Sequence, residues 1–138
     1  MSKSRQLRIV IDANIWISSL LKPAFRVRVE DIYGKHRLLF SEQLFRELDD
    51  AVRKPYPAKR IFQAEYEELT ALLRTDAELI DVRSTVYICR DPKDNFLLAL
   101  AKDGNADYLI TGDTDVLVLK EFEQTKIVSL SDFEDIYH

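Results

Sequence analysis

The run Ile9-Val10-Ile11, closed by Asp12, constrains this chain more than any other stretch. Three consecutive β-branched residues leave no polar side for water. Such a run suits a strand covered on both faces, as in a parallel sheet, better than a half-exposed strand whose polar residues would alternate. Asp12 falls where the strand ends, and in open α/β sheets ligands gather beyond the carboxyl ends of the strands. A second reading stays open here. Asp12 or Asn14 can cap the helix expected from about Ile15, since both residue types accept hydrogen bonds from the free amides of a first turn.

Downstream, strand and helix signals alternate. Residues 15–21 read as a short buried helix interrupted by Pro23, and a second helix spans 25–33 with Gly34 at the position that favours a left-handed residue. Arg37-Leu38-Leu39-Phe40 is a short strand. Ser41 suits the N-cap of a helix over 42–53, which Pro55 and Pro57 keep from continuing. Leu44, Phe45, Leu48, Ala51 and Val52 share one face of that helix, while Glu47 and Asp49 fall on its two borders; periodicity does not choose between them. Residues 60–74 read as an amphipathic helix with Ile61, Phe62, Tyr66, Leu69, Leu72 and Leu73 inward. Residues 78–82 and 86–88 are strand candidates. The turn Cys89-Arg90-Asp91-Pro92-Lys93-Asp94-Asn95 opens an apolar helix over 96–102 that Gly104 ends. Tyr108-Leu109-Ile110 and Lys126-Ile127-Val128 are further strands, and a last helical turn starts at Ser131. The pattern predicts an α/β fold with a mainly parallel sheet.

The 138 residues fit one compact domain spanning 1–138. A single cysteine, Cys89, excludes an internal disulfide and a cysteine-rich zinc site, and two histidines leave little for a His-rich one. No apolar run approaches the ~20 residues of a membrane span, and no signal-peptide core follows Met1, so the expected location is cytoplasmic with no membrane partner. Three glycines leave neither a Walker loop nor Gly-x-Gly-x-x-Gly.

The acids repeat one structural address. Asp12 ends the first strand, Asp94 opens a helix after a turn, and Asp113 and Asp115 follow a buried strand without other charges. Carboxylates converging there would repel one another and raise each other's pKa values unless a cation joined them. Oxygen-only ligands favour Mg²⁺ or Mn²⁺ over zinc. Such an ion can polarise a phosphodiester oxygen and activate water, which points to phosphodiester hydrolysis.

Ile9-Val10-Ile11-Asp12-Ala13-Asn14, a helical Glu47-Leu48, Asp91-Pro92-Lys93-Asp94-Asn95 before Leu98-Ala99-Leu100-Ala101, and Leu109-Ile110-Thr111-Gly112-Asp113-Thr114-Asp115 together resemble the PIN-domain pattern in order and spacing. The resemblance spans nearly the whole chain and is nearest the bacterial and archaeal branch that includes VapC-type ribonuclease toxins. It implies a three-layer α/β/α sandwich, a catalytic and metal-binding set of Asp12, Glu47, Asp94 and Asp113 with Asp115 as a further ligand, and supporting hydrogen bonds from Asn14 and Thr111. It also chooses Glu47 over Asp49 and leaves Asp91 to the turn. Ala13 and Asn95 depart from the pattern, which has a frequent hydroxyl at the first and an acid at the second.

The resemblance implies a metal-dependent endoribonuclease, the toxin of a toxin–antitoxin pair with a cognate antitoxin protein, working as a homodimer. A non-catalytic PIN domain that binds RNA or protein is the alternative. Phosphotransfer domains also place Asp after a first strand, but they expect an adjacent acidic pair or Asp-x-Asp, and this chain has Asp12-Ala13-Asn14. Charge is split along the chain: residues 1–60 hold 13 Lys and Arg against 7 Asp and Glu, and residues 61–138 hold 7 against 17. A basic rim beside an acidic floor suits a polyanion such as single-stranded or loop RNA. Arg26, Arg28, Lys35 and Arg37 are the expected phosphate contacts, with a solvated helix face as the other reading.

Overall fold

The computed structural model describes residues 6–55 and 63–137. Strand β1 (Arg8–Ile11) leads into helices α1 (Ala13–Leu21) and α2 (Pro23–Lys35), followed by β2 (Arg37–Phe40) and α3 (Glu42–Val52). Next come α4 (Gln63–Asp76), β3 (Glu78–Leu79), a 3-10 turn (Pro92–Asp94), α5 (Asn95–Asp103) and β4 (Tyr108–Ile110). The chain closes with α6 (Thr114–Leu117), β5 (Glu121–Phe122), β6 (Thr125–Val128) and α7 (Leu130–Ile136). The six strands form one sheet in the order β3-β2-β1-β4-β6-β5. All neighbours run parallel except the β5–β6 hairpin. With helices on its faces this is a three-layer α/β/α sandwich.

The expected two-sided burial of the first strand is observed: Ile9, Val10 and Ile11 are at most 1% exposed. Each side chain of that kind stabilises the fold by roughly 1.5–3 kcal/mol when fully buried. Register pairs Ile9 with Tyr108, Val10 with Leu109 and Ile11 with Ile110. The chain leaves β1 towards β2 and β3, then returns to the other side of β1 as β4. The order therefore reverses between β1 and β4. This is the point where an open α/β sheet leaves a crevice beyond its strand ends.

Ser41 caps α3 as expected, its hydroxyl accepting from Leu44 N at 3.1 Å. Trp16 and Tyr108 are core residues, and the Trp16 indole donates to Ile11 O at 3.2 Å. Several sequence expectations need correction. Asp12, not Asn14, occupies the N-cap of α1, which starts at Ala13. Pro23 starts α2 as its first residue, where a missing N–H costs nothing. Gly34 lies inside α2 rather than beyond it, and the helix closes on His36 N donating to Ile32 O at 3.0 Å. Gly104 does cap α5, but with φ −87°. Its requirement is space: a Cβ there would lie 2.8 Å from Leu39 Cδ1 and 3.0 Å from Leu100 O.

The helix expected over 60–74 is α4; Ile61 and Phe62, like Pro57, lie outside the described residues, and Leu72 is exposed rather than inward. The strand expected over 78–82 is only Glu78–Leu79, and residues 86–88 form none. The last helix starts at Leu130 because Ser129, not a later residue, caps it. The strand expected at 126–128 is β6, but β5, which pairs with it as a hairpin, and α6 have no counterpart among the elements expected from the sequence. Among the described residues no helix is long and apolar enough to cross a membrane.

Candidate active site

The crevice between β1 and β4 is built on backbone continuity. Asp12 N still donates to Ile110 O, and Thr111 N to Val128 O, both at 3.0 Å, so the sheet ladder fixes both residues one step past their strands. Asp12 is buried, yet its carboxylate makes no capping bond to α1. Instead the Thr111 hydroxyl donates to Asp12 Oδ2 at 2.7 Å. The same hydroxyl oxygen accepts from Asp113 N at 3.1 Å. One fully buried threonine, 99 residues from Asp12 in sequence, thus ties the two acidic positions together.

Burial raises the Asp12 carboxyl above its usual value, and the Thr111 hydroxyl and the backbone amides of Asn14 and Ala13 pull against that rise. Asn14 itself is exposed on the first turn of α1, so its link to Asp12 is through its backbone. Asp113 caps α6, its carboxylate accepting from Asp115 N at 2.9 Å. Asp115 is partly exposed in that first turn, 3.9 Å from the Arg90 guanidinium.

Asp94 is the most perturbed acid of the group. It stands at the N-cap of α5 without a capping bond, and its Oδ2 is buried with no hydrogen-bond partner. Burial first, then the Asp113 carboxyl within bonding reach, then the charges of Asp113, Asp91 and Asp12, push its pKa up to about 7. Each of these disfavours the charged form of Asp94, because burial and like charges both oppose ionisation of a carboxyl. Asp94 makes no capping bond, Asp12 stands at the N-cap of α1 with its carboxylate bonded to Thr111 and acted on by the first-turn amides, and Asp113 caps α6 outright.

Asp91 acts as expected in the turn, accepting from Lys93 N at 3.0 Å, although its charge also acts on Asp94. Asn95 braces the segment ahead of the turn, its Oδ1 accepting from Ile88 N at 3.1 Å and from Cys89 N at 2.9 Å. Cys89 is buried, and burial with the surrounding acids raises its thiol to about 11, as an inert apolar residue would behave. On α3, Asp49 accepts the Tyr66 hydroxyl from α4, which leaves Glu47 as the border acid without that structural duty. Glu47 is half-buried, and the charges acting on Asp94 are those of Asp113, Asp91 and Asp12.

The four cations expected to contact phosphate all have partners within the chain. Arg26 donates to Ser19 O and Leu20 O and pairs with Glu65 at 3.3 Å. Arg28 forks onto Glu134, with its closest contact at 2.6 Å. Lys35 pairs with Asp31 at 3.2 Å and Arg37 with Glu78 at 3.3 Å. Arg90, beside Asp115, is a cation that the sequence pattern places only in a turn. No spacing rule distinguishes it, because its partner lies on α6, 25 residues away.

A buried carboxyl oxygen of Asp94 without a partner, the Asp113 carboxylate beside it, and Asp12 held by a buried hydroxyl make an oxygen-only donor set that suits a hard cation at this crevice. A family model described as a PIN domain matches residues 8–115, from the first residue of β1 through Asp115. No curated protein matches the chain.

Proposed function

This chain belongs to the PIN-domain family, whose members are generally nucleases, and from that premise we propose that it is a Mg²⁺- or Mn²⁺-dependent endoribonuclease acting on single-stranded or loop RNA. The observation that carries this reading is Asp94 Oδ2, a buried oxygen without a partner beside Asp113. A buried acceptor left unsatisfied costs roughly 1–3 kcal/mol, which a cation would offset. Among the described residues no three His, Cys, Asp or Glu side chains are arranged to hold an ion together. Magnesium accommodates that arrangement, since it commonly takes one or two carboxylates and completes its shell with water and substrate phosphate.

Asp94 and Asp113 would hold the ion, with Asp12, Glu47 and Asp115 as the further acids of the set. When bound, such an ion polarises a phosphodiester oxygen and activates a water. The chain's own residues set the conditions for that. Thr111 holds Asp12 in orientation and links it to the Asp113 backbone.

The same proposal makes the protein the toxin of a toxin–antitoxin pair, working as a homodimer in the cytoplasm. A small DNA-binding antitoxin encoded in the neighbouring reading frame would support it, and a monomer in sedimentation would remove the dimer. A second reading, a PIN module that binds RNA without cutting it, is favoured by the lack of a three-donor cluster among the described residues. One experiment separates the two. Purified protein is incubated with structured and unstructured RNAs in Mg²⁺, Mn²⁺ or chelator. Cleavage only with metal, lost in Asp94→Asn, supports the nuclease; equal cleavage in chelator, or none in any condition, rejects it.

A further inference from the structure

A groove of about 830 Å³ opens between the start of α3, the extended segment 79–86 and the turn residues on either side of Asp94. Its charged walls are unequal. Glu42 is paired with Arg74 at 3.2 Å, and Asp81 is paired with Arg83 at 2.5 Å. Arg46 and Lys93 also line the groove, and neither has an ion pair among the described residues. The charge of Arg46 does act on Glu42, but that carboxylate is already held by Arg74. Two cations in one groove without an ion pair among the described residues, one of them next to Asp94 in the chain, contrast with the paired Arg26, Arg28, Lys35 and Arg37.

The wall of this groove is fixed by side chains where a strand ladder is missing. Asp103 Oδ2 accepts from Arg83 N at 2.6 Å and from Ser84 N at 2.8 Å. Asn95 Oδ1 holds the other end through Ile88 N and Cys89 N. Between these two anchors, directly after the groove residue Val86, stands Tyr87, which is 86% exposed. Its ring adds almost nothing to the core. It sits on a backbone secured on both sides, next to the anchor that leads to Asp94.

We propose that this groove is the track of a single RNA strand, with Lys93 and Arg46 on its phosphates and Tyr87 stacking one of its bases. Tyr87 is outside the groove's lining and one residue along the chain from it, so a cationic groove is followed by an aromatic platform, the combination that single-stranded nucleic acid requires. A duplex keeps its bases stacked inside and offers the tyrosine no free face. The choice of RNA rests on the nuclease reading above; the track itself is tested by binding.

The experiment measures anisotropy of a labelled 12-nucleotide unstructured RNA, in Mg²⁺ and in an Asp94→Asn background that prevents cleavage. Tyr87→Ala should weaken binding by roughly five- to a hundredfold, and Tyr87→Phe should bind as the parent does. Arg46→Gln and Lys93→Gln should each flatten the log–log salt dependence by about 0.7. All four substitutions are at exposed positions, and melting temperatures check that the fold is kept. Unchanged affinity in Tyr87→Ala, an unchanged salt slope in both charge variants, or equal affinity for the matching duplex overturns the track. A wild-type protein that binds in this manner but cleaves nothing leaves the track standing and removes the nuclease. One that cleaves with metal while the variants bind like the parent does the reverse.

Discussion

At the amino ends of the strands, charges are matched. Arg8 forks onto Glu78 at 2.9 and 3.0 Å, Arg37 joins the same carboxylate, and Arg8 N donates to Asp107 Oδ2 at 2.9 Å. The hydrogen bond from Arg8 holds the Glu78 carboxyl below its usual value. At the carboxyl ends of the same sheet, burial and the like charges of Asp12, Asp94 and Asp113 act on Asp12 and Asp94, and the shift runs the other way. Both ends use the same residue types. One end is arranged so that every charge lowers the energy of the fold, and the other keeps a repulsion that only a ligand or a proton relieves.

The contrast can be broken first by activity. Asp94→Asn should lower metal-dependent cleavage by about a hundredfold or more, given that a metal ion contributes several kcal/mol to the transition state. Glu78→Gln should leave the rate within about twofold; comparable losses in single-turnover cleavage would erase the distinction between the ends. Next is metal binding. Mg²⁺ at a hundredfold excess over its Kd should stabilise the wild type by about 2.7 kcal/mol, and Asp94→Asn should lose most of that gain in thermal melts. Glu78→Gln should keep it.

Stability without metal should reverse the ranking. Glu78→Gln removes a forked, partly exposed ion pair and should cost about 1 kcal/mol in urea melts. Asp94→Asn should be neutral or stabilising, because the amide carries no charge to repel. A destabilised Asp94→Asn would make that acid structural.

The smallest signal is a slope of metal-free stability with pH. Asp94 has a folded pKa near 7 against an ordinary 3.8, so its contribution is present below about pH 4 and is lost as pH rises towards 7. Glu78, held below its ordinary 4.5, contributes above that value and loses its contribution as pH falls. Asp94→Asn should flatten the neutral limb, and Glu78→Gln the acid limb. Urea midpoints from about pH 2.5 to about pH 8 would read both, and a common slope in the two variants would refute the assignment.

What the sequence makes legible follows from how local each signal is. β1, β2 and β4 are continuous apolar runs whose burial needs no knowledge of the partner, and the Ser41 cap is set within three residues. Asp12 and Asp113 share an address because each follows a strand of the sheet, while Asp94 arrives at the start of α5 after a segment that forms no strand. The β5–β6 hairpin left no such trace: its turn uses Glu123 at φ 53°, where glycine or asparagine would have signalled it. Residues 86–88 look like a strand because they are apolar, yet Tyr87 and Ile88 are exposed and side chains of Asp103 and Asn95 replace the ladder. The pairing of Arg28 with Glu134, 106 residues apart, is set by how α2 and α7 meet, and no periodicity contains it.

The two rims of the sheet carry one more consequence. Both edge strands, β3 and β5, are two residues long, while the inner strands β1, β2 and β4 are apolar and buried beyond the arginines that open β1 and β2. A second molecule approaching either rim finds almost no run of free amides and carbonyls to extend. The fold can therefore conceal a strongly aggregation-prone interior at high concentration, because edge-to-edge polymerisation has no template long enough to begin on.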